Sequence, residues 1–249
     1  MRGAVGALRL GRRIFEPHEL LIVADVASWP GDPAAAMERV HAVVAEGADI
    51  VEVCAGPGAV DEREEIRRIV PFIAAVRDAY PELVIGVDTG RPEVAHEACA
   101  AGADLLGDRR DAGLAEVAAR HDAGLAGSLA VADRAVAAGL DRERIIVDLL
   151  PGGSEAAWLS PEVTRRLEEL VAMGWPVLVS APGEDVMGEA ENAAAGERLA
   201  GDLAAMAVCA WVGARVFRVH RVRETRRVLS MVSAIRGDIP PASAVRGLA

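Results

Sequence analysis

Short apolar runs alternate with amphipathic helical patterns along most of the chain. The first apolar run is LLIVADV, and a helical pattern follows it with Asp32 as the expected N-cap. The same pair of patterns then recurs to the end of the sequence. The predicted strands cover residues 20–26, 49–53, 83–88, 104–107, 124–127, 144–149, 176–181 and 214–220, and the predicted helices cover 33–46, 62–80, 92–101, 113–121, 131–138, 161–173, about 190–212 and 223–235.

This alternation predicts an α/β protein, and the number of units favours a closed (β/α)8 TIM barrel. The strands are rich in Val, Ile and Leu without strict alternation, which is typical of parallel strands buried on both faces. A doubly wound open sheet would show the same alternation, but no Gly-rich phosphate turn follows the first strand. The segment LRLGRRIF predicts a short N-terminal hairpin around Gly11, beneath the barrel. No linker interrupts the pattern, so we expect one domain over residues 1–249.

Composition narrows the possible chemistry. All 27 basic residues are arginines, which excludes a Schiff-base lysine and a Walker-A lysine. The net charge of −11 argues against a nucleic-acid partner. The uncharged runs, such as residues 203–214, are shorter than the roughly 20 residues that span a bilayer. Three widely spaced cysteines have no metal-binding spacing and indicate a reducing compartment. We therefore expect a cytoplasmic protein.

Polar residues end most of the predicted strands. Active sites of barrel enzymes lie at the carboxyl ends of the strands. Burying several carboxylates there is costly unless an arginine, a metal ion or a ligand rich in N–H groups pairs with them. The residues at these positions are Asp25, Glu52, Asp88, Asp108, Ser128, Asp148, Ser180, Arg218 and His220.

Two of these positions have a purely structural interpretation, and one pair indicates a specific binding function. Asp108 and Ser128 could serve only as N-caps of the helices that follow them. Arg218 and His220 are two residues apart, so both side chains should point the same way from a strand. A guanidinium and an imidazole together suit phosphate oxygens, and we expect an anion-binding pair.

Five segments of the sequence resemble dihydropteroate synthase, the pterin-binding barrel of folate synthesis. The resemblance covers nearly the whole length of the chain. Its sharpest part is the RVH tripeptide at the end of the eighth barrel strand, followed by a helix. The segments are GADIVEV, IGVDTGRPEVAHEACAAGADLL, RIIVDLLPG, PVLVSA and GARVFRVHRVRETRRVL.

The resemblance implies a transferase that joins hydroxymethyl-dihydropterin pyrophosphate to p-aminobenzoate and releases pyrophosphate. It implies pterin-binding roles for Asp88, Asp108 and Asp148. It also implies that Arg218 and His220 are catalytic and bind the pyrophosphate. Asp25 replaces the family's metal-associated asparagine and could hold Mg²⁺, since carboxylates are good ligands for hard cations.

The sequence departs from the family in its loops. VASWPG follows Asp25 in place of the family's VTPDSF, and CAGPG replaces most of GGESTRPG. Pro182-Gly183-Glu184 replaces the family's SRK motif, so its pterin-contacting lysine is absent. We therefore predict a divergent paralogue that keeps part of the pterin and pyrophosphate pocket, with weak or no synthase activity.

Two alternatives remain open at the level of sequence. One is an active synthase, or a transferase on a related pterin, with Arg109 and Arg110 as replacement cations. The other is a non-enzymatic interaction protein. The family dimerises through its last helices, so we expect a homodimer. The apolar run at residues 203–214, which contains Trp211, is then either an interface or a helix buried against the barrel.

Overall fold

The computed structural model describes residues 6–26, 32–54, 61–108, 113–149, 161–180 and 199–239. A hairpin of β1 (Leu8–Leu10) and β2 (Arg13–Phe15) precedes a closed barrel of eight parallel strands, whose order around the barrel follows the chain. The barrel strands are β3 (Leu21–Asp25), β4 (Ile50–Val53), β5 (Val84–Asp88), β6 (Leu105–Asp108), β7 (Gly124–Gly127), β8 (Ile145–Asp148), β9 (Val177–Ser180) and β10 (Val216–Val219).

Helices follow the barrel strands and pack outside them. They are α1 (Pro33–Glu46), α2 (Glu62–Ala79), α3 (Pro92–Ala100), α4 (Ala115–His121), α5 (Leu129–Ala137), α6 (Pro161–Ala172), α7 (Leu199–Val212) and α8 (Val222–Arg236). No helix among the described residues combines the length and apolarity that crossing a bilayer requires. The predicted TIM barrel is thus confirmed.

Local sequence signals set several of the element boundaries. Asp32 caps α1 as predicted, because its side chain accepts a hydrogen bond from the backbone N–H of Ala34. The fifth helix begins at Leu129, earlier than predicted, because Ser128 caps it through the backbone N–H of Val131. The last barrel strand is shorter than predicted, because the backbone N–H of Ala214 still bonds back to the end of α7. The sequence also predicts Ser160 as the N-cap of the sixth helix. Ser160 and the helical pattern over residues 190–198 lie outside the described residues.

A repeated Gly-Ala-Asp tripeptide ties helices to the N-terminal end of the barrel, which we call the floor. Asp49 accepts the backbone N–H of Ile22 and pairs with Arg226 of α8. Asp104 accepts a backbone N–H in the same way and pairs with Arg77 of α2. Each arginine also donates to the carbonyl of the glycine that opens the tripeptide. Burial raises the pKa of both aspartates, and the arginines oppose that shift.

The hairpin closes the floor from inside, as the sequence predicted. Leu8, Leu10 and Phe15 are fully buried. A Cβ on Gly124 would lie 2.5 Å from a methyl carbon of Leu10, so the hairpin requires glycine at this position. The hairpin side chains share one hydrophobic cluster with the inner face of the barrel: Leu21, Val23, Ile50, Val84, Leu105, Ala126, Ile146, Leu178 and Val216.

Arg215 fastens the hairpin segment to the barrel. Its side chain is almost fully buried and donates to four backbone carbonyls, those of Gly6, Phe15, Glu16 and Glu19. Burial lowers the pKa of Arg215 to about 10, although nearby glutamates oppose this. The guanidinium remains charged at neutral pH and serves as a shared donor for four carbonyls of this segment.

We expect Arg215→Ala to lower the free energy of unfolding by about 3 kcal/mol, because it leaves several buried carbonyls without a donor. Urea denaturation followed by circular dichroism measures this change. Arg67→Ala is the control, since that arginine is 73% exposed in a surface ion pair and should contribute at most about 0.5 kcal/mol. Equal effects of the two variants would show that Arg215 does not anchor the hairpin.

Candidate functional site

The inner face of the barrel changes from apolar to polar at its C-terminal end, which we call the mouth. Side chains alternate along a strand, so the residue two positions after an inward apolar residue also points inward. Val23, Ile50 and Ile146 belong to the inner cluster, and each precedes an acidic residue by two positions. By this alternation the polar inner layer consists of Asp25, Glu52, Asp88, Asp148, Ser180 and Arg218.

Arg218 is the centre of this layer. Its Nη2 atom lies 2.8 Å from Oε1 of Glu52. Its Nη1 atom donates to Oγ of Ser180 at 2.9 Å and lies 3.4 Å from Oδ2 of Asp148. One guanidinium therefore connects side chains of β4, β8, β9 and β10 across the mouth.

The ion pairs are formed away from solvent. Arg218 is 7% exposed, Glu52 3% and Asp148 4%. Burial disfavours the charged guanidinium, but Glu52, Asp148 and Asp88 more than compensate and raise the pKa of Arg218 above its usual value. Arg218 is charged at any physiological pH. The sequence-based expectation that the buried carboxylates need a partner is met here by Arg218.

The side chain of Arg218 also includes a buried N–H group for which the described residues supply no acceptor. The Nε atom has no hydrogen-bond partner among the described residues. A buried donor without an acceptor is costly, and a bound carbonyl or ring nitrogen would relieve that cost. The mouth can thus offer both carboxylate acceptors and at least one N–H donor to a planar polar ligand.

Asp88 and Asp25 complete the acidic side of the mouth. Asp88 ends β5 and lies beside Gly107 of β6 in the register. A Cβ on Gly107 would lie in ordinary van der Waals contact with the Asp88 carboxylate, at 3.5 Å, so the two positions are close neighbours. Asp25 is half-buried and lies beside Glu52 in the register of β3 and β4.

The structure places Asp108 differently from the other predicted pterin-binding residues. It lies two positions after Leu106, which packs in the outer layer between strands and helices. By alternation Asp108 therefore also points outward. Its Oδ2 atom accepts the backbone N–H of Leu114, immediately before α4. This contact holds the segment that leads into α4, but it is not an N-cap, because Leu114 occupies the N-cap position and α4 has no side-chain capping hydrogen bond. For Ser128 the helix-cap interpretation is confirmed by its cap of α5.

Arg218 and His220 do not share one environment. Arg218 is buried within the ion pairs, whereas His220 is exposed just after the end of β10. Across the part of the chain that the structure describes, no three His, Cys, Asp or Glu side chains form a metal-binding cluster. Arg109, Arg110, Pro182-Gly183-Glu184 and the two altered loops at residues 27–31 and 55–60 lie outside the described residues.

Sequence reasoning underestimated two contributions to this site. Glu52 was noted as a strand-end residue but was assigned no role, and it forms the shorter of the two ion pairs of Arg218. Behind the mouth, buried Glu65 of α2 accepts a hydrogen bond from Thr89 and pairs with Arg91. A signal for this second cluster existed in the unusual position of Glu65 on the apolar face of a helix.

The Asp108→Ala variant separates the two interpretations of Asp108. Loss of the hydrogen bond to Leu114 should lower the free energy of unfolding by about 1 kcal/mol, as loss of the helix cap should in the matched control Ser128→Ala. We expect the affinity of the mouth for a pterin to stay unchanged in both variants. Thermal unfolding and a binding titration measure the two effects. A tenfold loss of affinity in Asp108→Ala alone would instead support the pterin-binding role.

Comparison with known proteins matches this chain to a protein family. The model of the family described as "Pterin binding enzyme" matches residues 24–128 and 126–220. "Inactive dihydropteroate synthase 2" of Mycobacterium tuberculosis is 43% identical, with 87% of this chain and 80% of that protein covered. "Dihydropteroate synthase" of Escherichia coli is 29% identical, with 80% of this chain and 82% of that protein covered.

Solved structures agree with the sequence comparisons. The structure of Mycobacterium tuberculosis Rv1207 is 41% identical and superimposes with a TM-score of 0.76, covering 90% of this chain and 95% of that one. A Yersinia pestis dihydropteroate synthase structure, 23% identical, shares the fold with a TM-score of 0.81 over 94% of this chain and all of that one. The family match spans most of the barrel, including Asp88, Asp148 and Arg218. The chain therefore belongs to the pterin-binding enzyme family.

Proposed function

We propose that the mouth binds the aminopyrimidine edge of a pterin and that the protein has weak or no dihydropteroate synthase activity. The observation that carries this proposal is the pair of inner-face carboxylates, Asp148 and Asp88, beside the buried guanidinium of Arg218. A carboxylate can accept two N–H groups from a guanidine-like edge. The family supplies the ligand class, and the strand ends supply acceptors of the right chemistry.

Arg218 and His220 are the residues we propose for the diphosphate end of such a ligand and for catalysis. A cation beside the leaving group would stabilise the negative charge that develops as the C–O bond to the diphosphate breaks. Arg218 has the charge for this role, and His220 stands exposed at the rim above it. Both roles are carried over from the resemblance.

Low activity is supported by the chain's own chemistry. The basic residues of the family's second loop and of its SRK motif are absent from this sequence. Each lost charge-assisted hydrogen bond costs about 1.5–3 kcal/mol, so several such losses would slow turnover by orders of magnitude. A relative at 43% identity also carries the name "Inactive dihydropteroate synthase 2". An active enzyme on a related pterin would require replacement cations from elsewhere.

Asp25 is the residue we propose for Mg²⁺, because this ion is commonly held by one or two carboxylates together with substrate phosphates. A single half-buried carboxylate at the end of β3 fits that mode, and it does not fit a cage made of protein ligands alone. When bound, Mg²⁺ would neutralise charge on the diphosphate.

We also propose a cytoplasmic homodimer that joins through α7 and α8. These helices pack against each other and present large apolar side chains outward: Val208 is 55% exposed, Trp211 52%, Met231 61% and Ile235 66%. The opposite face of α7 is buried, with Met206 and Ala210 against the barrel. The apolar run therefore serves the core on one side and leaves an apolar surface on the other. A surface of this kind favours association with a second copy.

Calorimetric titration with hydroxymethyl-dihydropterin pyrophosphate, with and without Mg²⁺, tests the pterin proposal. We expect binding that Asp148→Asn weakens by at least about tenfold, because the ring loses an acidic acceptor. Asp104→Asn is the matched control at the floor and should bind normally. We also expect little or no turnover with p-aminobenzoate. No binding to the unaltered protein, or equal affinity in Asp148→Asn, would contradict the proposal.

The dimer is tested by sedimentation velocity on Trp211→Glu. A carboxylate in an apolar interface should convert the dimer to a monomer at micromolar concentration without unfolding the barrel. Ile14→Glu is the control, since Ile14 is 58% exposed on the hairpin at the floor. If the unaltered protein sediments as a monomer at all concentrations, the α7 and α8 surface does not join two copies.

A further inference from the structure

We propose that Glu52 is a specificity-determining residue that makes the mouth favour a pterin without a diphosphate over the corresponding diphosphate ester. This inference rests on the proposed function, because it concerns the same mouth. It specifies which class of ligand the site binds most tightly, namely a pterin without a diphosphate. It also gives a physical reason for weak synthase activity in a chain that keeps Arg218.

The Nη atoms of Arg218 already bind protein side chains. An arginine that binds phosphate presents its N–H groups to the phosphate oxygens. Here Nη2 is paired with Glu52 at 2.8 Å, and Nη1 is shared between Ser180 and Asp148. A diphosphate at these atoms would lie against a carboxylate that is already in place and nearly fully buried.

The charges around the guanidinium also disfavour an added anion. Glu52, Asp148 and Asp88 act together on Arg218, so its single positive charge faces more than one negative charge. Two like charges in a buried site repel each other more strongly than in water. A diphosphate brought next to Glu52 adds negative charge beside carboxylates that already face Arg218, whereas a neutral ring adds none.

The mouth still has hydrogen-bonding groups that suit a neutral ligand. The buried Nε of Arg218 lacks an acceptor among the described residues. Asp148 presents a carboxylate at the Nη1 side of the same guanidinium. A planar heterocycle that carries both N–H donors and a carbonyl acceptor satisfies both groups without disturbing the pair between Glu52 and Arg218. Diphosphate oxygens are acceptors only, so they cannot donate to the carboxylates.

The test compares two ligands on three proteins by calorimetry at fixed ionic strength without Mg²⁺. The ligands are 6-hydroxymethyl-dihydropterin and inorganic pyrophosphate. The proteins are the unaltered chain, Glu52→Gln and Glu65→Gln. Glu65 is the matched control, since it is a buried glutamate paired with Arg91 and bonded to Thr89. Circular dichroism verifies that each variant is folded.

We expect Glu52→Gln to bind pyrophosphate about tenfold more tightly than the unaltered chain, because Arg218 loses a competing carboxylate. Glu65→Gln should show no gain, and the affinity for 6-hydroxymethyl-dihydropterin should change little in either variant. A merely structural role for Glu52 would weaken binding or leave it unaltered, but it would not create affinity for an anion. If Glu52→Gln does not fold, Glu52→Asp serves instead and should give a smaller gain of the same sign.

Two outcomes separate this inference from the proposed function. If the pterin binds and Glu52→Gln gains no affinity for pyrophosphate, the role of Glu52 is overturned and the pterin proposal stands. If Glu52→Gln gains pyrophosphate affinity and no variant binds the pterin, Glu52 does control anions at Arg218, but the pterin proposal fails.

Discussion

The mouth of this barrel is organised by one buried guanidinium. Arg218 reaches from β10 to Glu52 on β4 and to Asp148 on β8, and these partners are 166 and 70 residues away in the sequence. Removing the arginine would leave Glu52 and Asp148 without this partner in a site that is more than nine-tenths buried. The network therefore fixes the positions of the acidic side chains before any ligand arrives, and it also limits what Arg218 can do for a ligand.

The arginines at the two ends of the barrel have different roles: those at the floor stabilise the fold, and the one at the mouth belongs to the proposed binding site. At the floor, Arg77, Arg215 and Arg226 are each bound to backbone carbonyls, and two of them also pair with aspartates. At the mouth, Arg218 donates only to side chains and retains an N–H without a partner among the described residues. Arginine supplies every cation in a chain without lysine, and its role differs between the two ends because of the acceptors that surround it.

The fold was predictable from the sequence because apolar periodicity and caps such as Asp32 act locally. The meeting of Asp88, Asp148 and Arg218 was also predictable, because the carboxyl ends of parallel strands share one end of a barrel. Two features were not. The pairing of Glu52 with Arg218 depends on side-chain contacts across the barrel that no spacing encodes. The outward direction of Asp108 depends on strand phase, which the short apolar run before it does not determine.

Nitrogen-15 NMR of the arginine side chains tests the central claim most directly. The chain is labelled at arginine, and the Arg218 signals are assigned by their absence from an Arg218→Lys variant. A guanidinium held by two buried carboxylates should give separate, slowly exchanging Nη proton signals that persist at neutral pH and in the absence of ligand. A single averaged and rapidly exchanging signal, like that of a surface arginine, would show that Glu52 and Asp148 do not hold Arg218.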